Sequence, residues 1–187
     1  MVGNSLMDGE RQLWERCARG EKPACRELYD SCAGRLLALS ARYTGSREAA
    51  EDVLQDAFIK VFSSIKSFRY RGKGSLYAWI RRVVINQSLD WLRAHRKDMT
   101  VPIEENRTTE EISQDDVSII PEAVLAGMIE ELPDGYRTVF NLYAMDGYSH
   151  REIGKMLGIK EKTSSSQYFR ARALLAAKIK QYIRDNG

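Results

Sequence analysis

The chain has 187 residues, of which 43% are hydrophobic and 29% charged, and its formal net charge is +3 at pH 7. This composition favours folded globular domains and excludes wholesale disorder. No segment approaches the ~20 consecutive apolar residues that span a bilayer, and the N-terminus lacks the basic start and apolar stretch of a secretory signal. We therefore expect a cytoplasmic protein without membrane insertion.

Cysteine and histidine are too sparse to predict a metal or catalytic centre. Cys17, Cys25 and Cys32 are spaced more widely than the C-x-x-C pairs of zinc sites, and only His95 and His150 could complete such a site. We expect the three cysteines to be buried helix residues in a reducing compartment. No catalytic residue, metal site or cofactor is predicted.

Charge is distributed unevenly along the chain. Residues 1–97 carry a balance of +7, residues 98–120 one of −6, and residues 121–187 one of +2. The acidic stretch has no sustained apolar period and contains Pro102 with several Asn, Thr and Ser residues, which is typical of linkers. It ends at Pro121, a residue favoured in the first turn of a helix. We predict two domains, 1–97 and 121–187, joined by an acidic flexible linker.

Apolar residues recur at helical spacing along both predicted domains, whereas strand signals are almost absent. Glycines separate the helical segments. The predicted helices are 8–19, 22–43, 46–66, 75–97, 121–131, 134–145, 149–157 and 160–184. The predicted fold class is all-α, with two small helical domains.

The helix predicted at 46–66, with Ser46 as its N-cap, carries two different faces. Its core face is predicted to consist of Ala50, Val53, Leu54, Ala57, Phe58, Val61 and Ile65. On the opposite face, four polar side chains surround one isoleucine: Glu48, Asp52, Gln55 and Asp56 around Ile59. An apolar residue ringed by carboxylates is typical of a docking surface for a basic partner helix. A second contact within the same domain is the alternative.

The segment 68–74, FRYRGKG, alternates aromatic and basic side chains before two glycines. Such a loop suits single-stranded nucleic acid, because an unstacked base can lie on a ring while Arg71 and Lys73 hold the backbone. We expect the loop to be unpacked, with Tyr70 exposed for stacking. It is not a P-loop, since Gly72-Lys73 lacks the upstream glycine and is followed by Gly74.

The helix predicted at 75–97 also has two faces. Its core face is predicted to hold Leu76, Ile80, Val83, Val84 and Trp91, extended by Ile85 and Leu92. The opposite face carries Trp79, Arg82, Asn86 and Arg93. Arginine, asparagine and an aromatic ring on one polar face suit phosphate contact together with base stacking or edge reading. A place for Trp79 in the core is an equal alternative.

Residues 149–179 have the spacing of a helix-turn-helix, whose second helix enters the major groove. Ser149 or Tyr148 begins the first helix, Gly154 allows a close crossing, and Gly158 makes the turn. The second helix has an inward arc of Ser164, Tyr168, Ala171, Leu175 and Ile179. Its outward arc is Thr163, Ser166, Phe169 and Arg170, with Ser165 and Gln167 alongside. Short hydroxyls and an arginine suit phosphates and base edges. A generic helical hairpin is the alternative.

Four segments, in this order, resemble bacterial RNA polymerase sigma factors. They are residues 51–58 (EDVLQDAF), 78–86 (AWIRRVVIN), 131–137 (ELPDGYR), and the stretch from Glu152-Ile153-Gly154 to Arg170-Ala171-Arg172. The chain is similar to the compact extracytoplasmic-function (ECF) class, which has two helical promoter-binding domains and a short linker. The resemblance covers most of residues 8–182.

The resemblance implies a sigma factor that binds core RNA polymerase and directs promoter-specific transcription initiation. It implies that four residues dock the clamp helices of the polymerase: Asp52, Gln55, Asp56 and Ile59. Four more would capture the non-template strand of the minus-ten element: Tyr70, Arg71, Lys73 and Asn86. The minus-thirty-five duplex would be read by Ser165, Ser166, Phe169 and Arg170. An anti-sigma factor that covers the docking faces is a further expected partner.

Two departures from the family pattern affect the second domain. Ser164 stands where the family usually has a branched apolar residue, and Ser165 and Gln167 stand where basic residues are common. The promoter sequence therefore cannot be taken from relatives.

Two other classes of function remain open from the residues. A stand-alone dimeric helix-turn-helix regulator would bind duplex DNA without polymerase. An enzyme acting on nucleic acid would need a histidine or lysine matched to its clustered carboxylates, and the sequence offers none beside Asp52. For the linker, mimicry of nucleic acid in a polymerase channel and a solvated tether are both open.

Overall fold

The computed structural model describes residues 5–95 and 119–186, with side chains described from residue 9 onward. These two stretches are separate compact units. The first contains α1 (Ser5–Ala18), α2 (Lys22–Thr44), α3 (Arg47–Ser64) and α4 (Ser75–His95). The second contains α5 (Glu122–Glu130), α6 (Asp134–Phe140), a π-helical continuation (Asn141–Met145), α7 (His150–Leu157) and α8 (Glu161–Asn186). Within the two described stretches there is no strand, which confirms the all-α prediction.

The predicted linker lies outside the described residues except for Ile119, which is exposed, and Ile120, which is buried. No helix in the described part of the chain is long and apolar enough to cross a membrane.

In the first unit, α2, α3 and α4 pack against one another, and α1 packs on α2. The turn between α2 and α3 is set by two local signals. Gly45 adopts a left-handed conformation with φ 67°, and its N–H donates to the Ala41 carbonyl at 2.8 Å. Ser46 then caps α3 as predicted, because its side chain accepts a hydrogen bond from the Ala49 N–H at 3.4 Å.

The core face predicted for α3 is confirmed, since all seven of its residues are buried. For α4, the predicted core face is partly wrong: Val83 and Trp91 are half-exposed, whereas Ser88 and Leu89 are buried. The buried stripe advances four residues at a time, through Leu76, Ile80, Val84, Ser88 and Leu92. Ser88 is tolerated there because its hydroxyl lies 3.1 Å from that of Ser40 and donates to the Val84 carbonyl.

In the second unit, α6 and α8 form the core around Leu132, Tyr136, Ala171 and Leu175. Arg137 is also buried there, with its guanidinium 2.6 Å from both an Asp134 carboxylate oxygen and the Glu130 carbonyl. Burial lowers the pKa of this guanidinium. A buried cation needs such partners to offset its loss of hydration.

Helices α7 and α8 form the predicted helix-turn-helix. Ser149 is the N-cap of α7 and forms a complete capping box with Glu152. Gly158 ends α7 in a left-handed conformation with φ 69°. A Cβ on Gly154 would lie 2.8 Å from the Ile159 carbonyl oxygen, so the predicted close crossing is confirmed.

Candidate nucleic-acid and protein interfaces

The polar face of α3 is open to solvent. Glu48, Asp52, Gln55 and Asp56 are exposed, and Ile59, one helical turn after Gln55 and Asp56, is 68% exposed. Within the described residues, neither Asp52 nor Asp56 pairs with a basic side chain, whereas the neighbouring Glu51 pairs with Arg47 at 2.9 Å. In the described part of the chain, the exposure of this face therefore argues against a second contact inside its own unit. An exposed isoleucine among carboxylates is chemically suited to a partner that is apolar in its middle and basic at its rim.

The loop between α3 and α4 is held by aromatic contacts, contrary to the expectation that it is unpacked. Phe68 stacks on Trp79 with ring centroids 4.9 Å apart, and Trp14 of α1 meets Phe68 edge-on at 5.9 Å. Trp14 also stacks on Tyr70, with centroids 6.0 Å apart and planes 13° apart. Phe68, Tyr70 and Trp79 are each half-buried. We call Trp14, Phe68, Tyr70 and Trp79 the aromatic array.

The loop backbone turns sharply after the aromatic array. Gly72 and Gly74 have φ values of 119° and 85°, a region that favours glycine. Ser75 fixes the turn, because its hydroxyl donates to the Gly72 carbonyl at 2.6 Å and accepts from the Arg71 N–H at 3.1 Å. Arg71 and Lys73 are exposed on this turn. Two cations therefore lie beside stacked rings, an arrangement suited to a single strand.

Sequence reasoning missed Glu10, which holds the same turn from α1. One of its carboxylate oxygens accepts from the Gly74 N–H at 2.5 Å and the other from the Leu76 N–H at 2.8 Å. Trp14, also on α1, was missed as well. No local pattern could have identified either residue, because their loop partners lie more than 50 positions away in the chain.

The outward face of α4 continues from the loop. Arg82, Asn86 and Arg93 are exposed on it, and the half-buried Trp79 begins it. Arg93 pairs with Asp90 at 2.5 Å, so its charge is partly balanced by a neighbouring carboxylate. The face therefore offers two arginines, one of them paired with a carboxylate, and one amide for a strand that leaves the loop along α4.

The outward face of α8 carries the predicted reading residues. Thr163, Ser165 and Ser166 are exposed, and Phe169 is 52% exposed. Arg170 is half-buried, and its guanidinium donates to the Tyr136 hydroxyl at 3.4 Å. This contact joins the arginine head to a core residue of the second unit.

The buried Ser164 explains one departure noted in the sequence. Its hydroxyl lies 3.0 Å from Nδ1 of His150, whose ring stacks on Tyr143 at 4.2 Å. A polar contact between α7 and α8 therefore occupies the position where an apolar side chain was expected. Because the hydroxyl has a partner, its burial is not costly.

The cysteines lie in helices as predicted, and Cys17 and Cys32 are buried; the prediction of burial is wrong for Cys25, which is half-buried. Burial raises the pKa of Cys17 to about 12 and also raises that of Cys32, so both thiols stay protonated at neutral pH. The described residues contain no cluster of three His, Cys, Asp or Glu side chains able to hold a metal ion.

Comparison with known proteins matches each unit to a family model. Residues 28–98 match Sigma-70 region 2, and residues 123–175 match Sigma-70, region 4. The ECF RNA polymerase sigma-E factor of Haemophilus influenzae is 29% identical over 182 residues, covering 91% of this chain and 95% of the relative. The RNA polymerase sigma-H factor of Pseudomonas aeruginosa is 28% identical over 188 residues, covering 94% and 96%.

Solved structures show the same fold. CnrH, solved in complex with the cytosolic domain of CnrY, has a TM-score of 0.50 and 26% identity, covering 91% of this chain and 97% of that one. The sigma factor RpoE of Bartonella quintana, solved with the anti-sigma factor NepR, has a TM-score of 0.51 and 18% identity, covering 83% and 96%.

Proposed function

The chain belongs to the sigma-70 family of RNA polymerase sigma factors, in the ECF class, and from this membership we propose which exposed face binds the polymerase and which faces bind the two promoter elements. Its function is to bind core RNA polymerase and direct promoter-specific initiation. The proposed divisions are residues 1–97 for polymerase docking and minus-ten recognition, 98–120 as an acidic linker, and 121–187 for minus-thirty-five recognition. This family is not a class of enzymes, and we assign no catalytic residue.

The polar face of α3 is the proposed docking surface for the polymerase. The single observation that carries this assignment is the 68% exposure of Ile59 on the same helix face as the exposed carboxylates. Burial of an exposed isoleucine against a partner contributes about 1.5–3 kcal/mol when it is complete. The surrounding Glu48, Asp52, Gln55 and Asp56 would select a basic partner and orient it.

The loop before α4 and the outward face of α4 are the proposed minus-ten site. Tyr70 supplies a ring for stacking, Arg71 and Lys73 hold phosphates, and Asn86 supplies an amide for a base edge. Trp79, Arg82 and Arg93 extend the same face. Because the non-template strand must unstack to reach these groups, their contacts favour the melted promoter over the duplex.

The N-terminal half of α8 is the proposed minus-thirty-five site. Thr163, Ser165 and Ser166 offer hydroxyls, Phe169 offers an apolar contact for a thymine methyl, and Arg170 reaches a guanine edge or a phosphate. The exposure of the first four residues supports this assignment.

An anti-sigma factor is a further proposed partner. The structurally similar CnrH was solved with the cytosolic domain of CnrY, and the sigma factor RpoE, which has the same fold, was solved with the anti-sigma factor NepR. We place the chain in the cytoplasm with its polymerase. For the acidic linker, we propose that its carboxylates occupy a positively charged channel of the polymerase and also discourage the free protein from binding DNA. The test changes six linker carboxylates to amides: Glu104, Glu105, Glu110, Glu111, Asp115 and Asp116. Unchanged free-protein DNA binding and unchanged initiation would overturn that idea.

A polymerase-binding titration tests the docking assignment. We expect Ile59→Ala to weaken the affinity for core RNA polymerase about tenfold, because truncation removes most of the apolar surface that docking buries. Asp52→Asn tests the carboxylate ring in the same assay, and its effect should shrink as salt is raised. Glu51→Gln is the matched control, because this exposed residue of α3 already pairs with Arg47. Equal affinities for wild type, Ile59→Ala and Asp52→Asn would show that α3 does not dock the polymerase.

A further inference from the structure

Helix α1 contacts the loop proposed to capture the non-template strand, although all of α1 precedes the residues matched by Sigma-70 region 2. The Glu10 carboxylate accepts hydrogen bonds from the N–H groups of Gly74 and Leu76, at 2.5 and 2.8 Å. These groups stand at the start of α4, where a helix leaves its N–H groups without internal partners and presents its positive end. Glu10 therefore fixes where the loop joins α4.

The same carboxylate also affects where a phosphate can bind. A helix N-terminus readily accepts an anion, but here Glu10 already occupies the two N–H groups. The DNA backbone is therefore directed toward the exposed Arg71 and Lys73 on the turn.

Trp14 holds the other end of the loop. Its indole N–H donates to the Ile65 carbonyl at 3.2 Å, where α3 ends. Its ring stacks on Tyr70 and meets Phe68 edge-on. Since Trp14 covers one face of Tyr70, a base that stacks on Tyr70 takes the opposite face.

We propose that Glu10 and Trp14 are positioning residues that hold the loop in the conformation needed to capture an unstacked base. This proposal rests on the minus-ten function proposed for the loop. A glycine-containing loop that had to order itself on binding would lose affinity, so ordering by α1 before DNA arrives strengthens capture. Neither residue needs to contact DNA itself.

The test measures binding of holoenzyme, made with core polymerase, to two DNAs taken from a promoter that the wild type recognises. One is the single-stranded non-template minus-ten segment with 2-aminopurine at the base to be captured, and the other is the minus-thirty-five duplex. The variants are Glu10→Gln, Trp14→Ala and Trp14→Phe. Glu15→Gln is the matched control, since Glu15 lies on the same helix and pairs with the exposed Arg11 at 2.9 Å.

We expect Glu10→Gln and Trp14→Ala to weaken single-strand binding about tenfold, and to reduce the change in 2-aminopurine fluorescence at a given holoenzyme concentration. Binding to the duplex should not change. Trp14→Phe should recover most of the loss, because it keeps a flat ring against Tyr70. Glu15→Gln should match wild type.

Two outcomes overturn this proposal while the function of the loop stands. In the first, wild type captures the single strand and Glu10→Gln and Trp14→Ala capture it equally well. In the second, these variants lower the melting temperature of the chain and weaken binding to both DNAs equally, which assigns α1 a general structural role. If wild-type holoenzyme itself does not bind the single strand, the function proposed for the loop fails, and the proposal fails with it.

Discussion

Gly154 of α7 lies where the backbone of the following turn crosses it, and a side chain there has no room. A Cβ would lie 2.8 Å from the Ile159 carbonyl oxygen and 3.5 Å from the Glu161 nitrogen. Both are backbone atoms, so Gly154→Ala must displace the turn. Overpacking of this kind costs about 1–3 kcal/mol, while replacing glycine inside a helix gains up to about 1 kcal/mol. Taking the middle of the cost and the full gain, we expect a net loss of about 1 kcal/mol in the free energy of unfolding of the second unit.

Urea unfolding of the full chain measures this effect when two signals are followed. The three tryptophans all lie in the first unit, so tryptophan fluorescence reports that unit, whereas far-UV circular dichroism reports both. Gly154→Ala should move only the circular-dichroism transition of the second unit to lower urea. Gly127→Ala in α5 is the matched control, since a Cβ there meets nothing within 4 Å. A Gly154→Ala chain as stable as wild type would refute the reasoning.

Three more predictions concern single side chains. Arg170→Ala should weaken binding to the minus-thirty-five duplex by about 1–3 kcal/mol and relax specificity at one base pair. An equal loss of affinity for all duplex sequences, with a weaker dependence of affinity on salt, would assign a phosphate contact instead. Asp134→Asn should destabilise the second unit by about 3 kcal/mol, because it leaves the Arg137 guanidinium buried without its carboxylate; unchanged urea unfolding would contradict this. At neutral pH, iodoacetamide should alkylate Cys25 before Cys17 in the native chain, because burial raises the pKa of the Cys17 thiol to about 12 and keeps it protonated. Mass spectrometry measures the order of alkylation, and faster labelling of Cys17 would contradict the prediction.

The features that the sequence predicts well are those determined by residues close together in the chain. The two faces of α3 follow from helical period, and its start follows from Ser46. The helix-turn-helix follows from Gly154, Gly158 and the pair Ser149 and Glu152. In each case the residues that define the feature lie within one or two helical turns of one another, so local chemistry alone determines it.

The features that the sequence could not supply depend on contacts between distant segments. The packing of Tyr70 requires Trp14, and the turn before α4 requires Glu10, both from α1. The true core stripe of α4 includes Ser88 because Ser40 of α2 is opposite it. A hydrophobic period assigns a serine to the surface, and only the tertiary partner reverses that assignment.

Mapping of transcription start sites tests the central claim most directly. Core RNA polymerase is mixed with genomic template, with and without the purified chain, and the 5′ ends of the transcripts are located. A sigma factor should produce a small set of discrete start sites that share upstream sequences and disappear when the chain is omitted. If the chain leaves initiation by the core enzyme unchanged, and instead binds a palindromic duplex as a dimer without polymerase, the assignment is wrong.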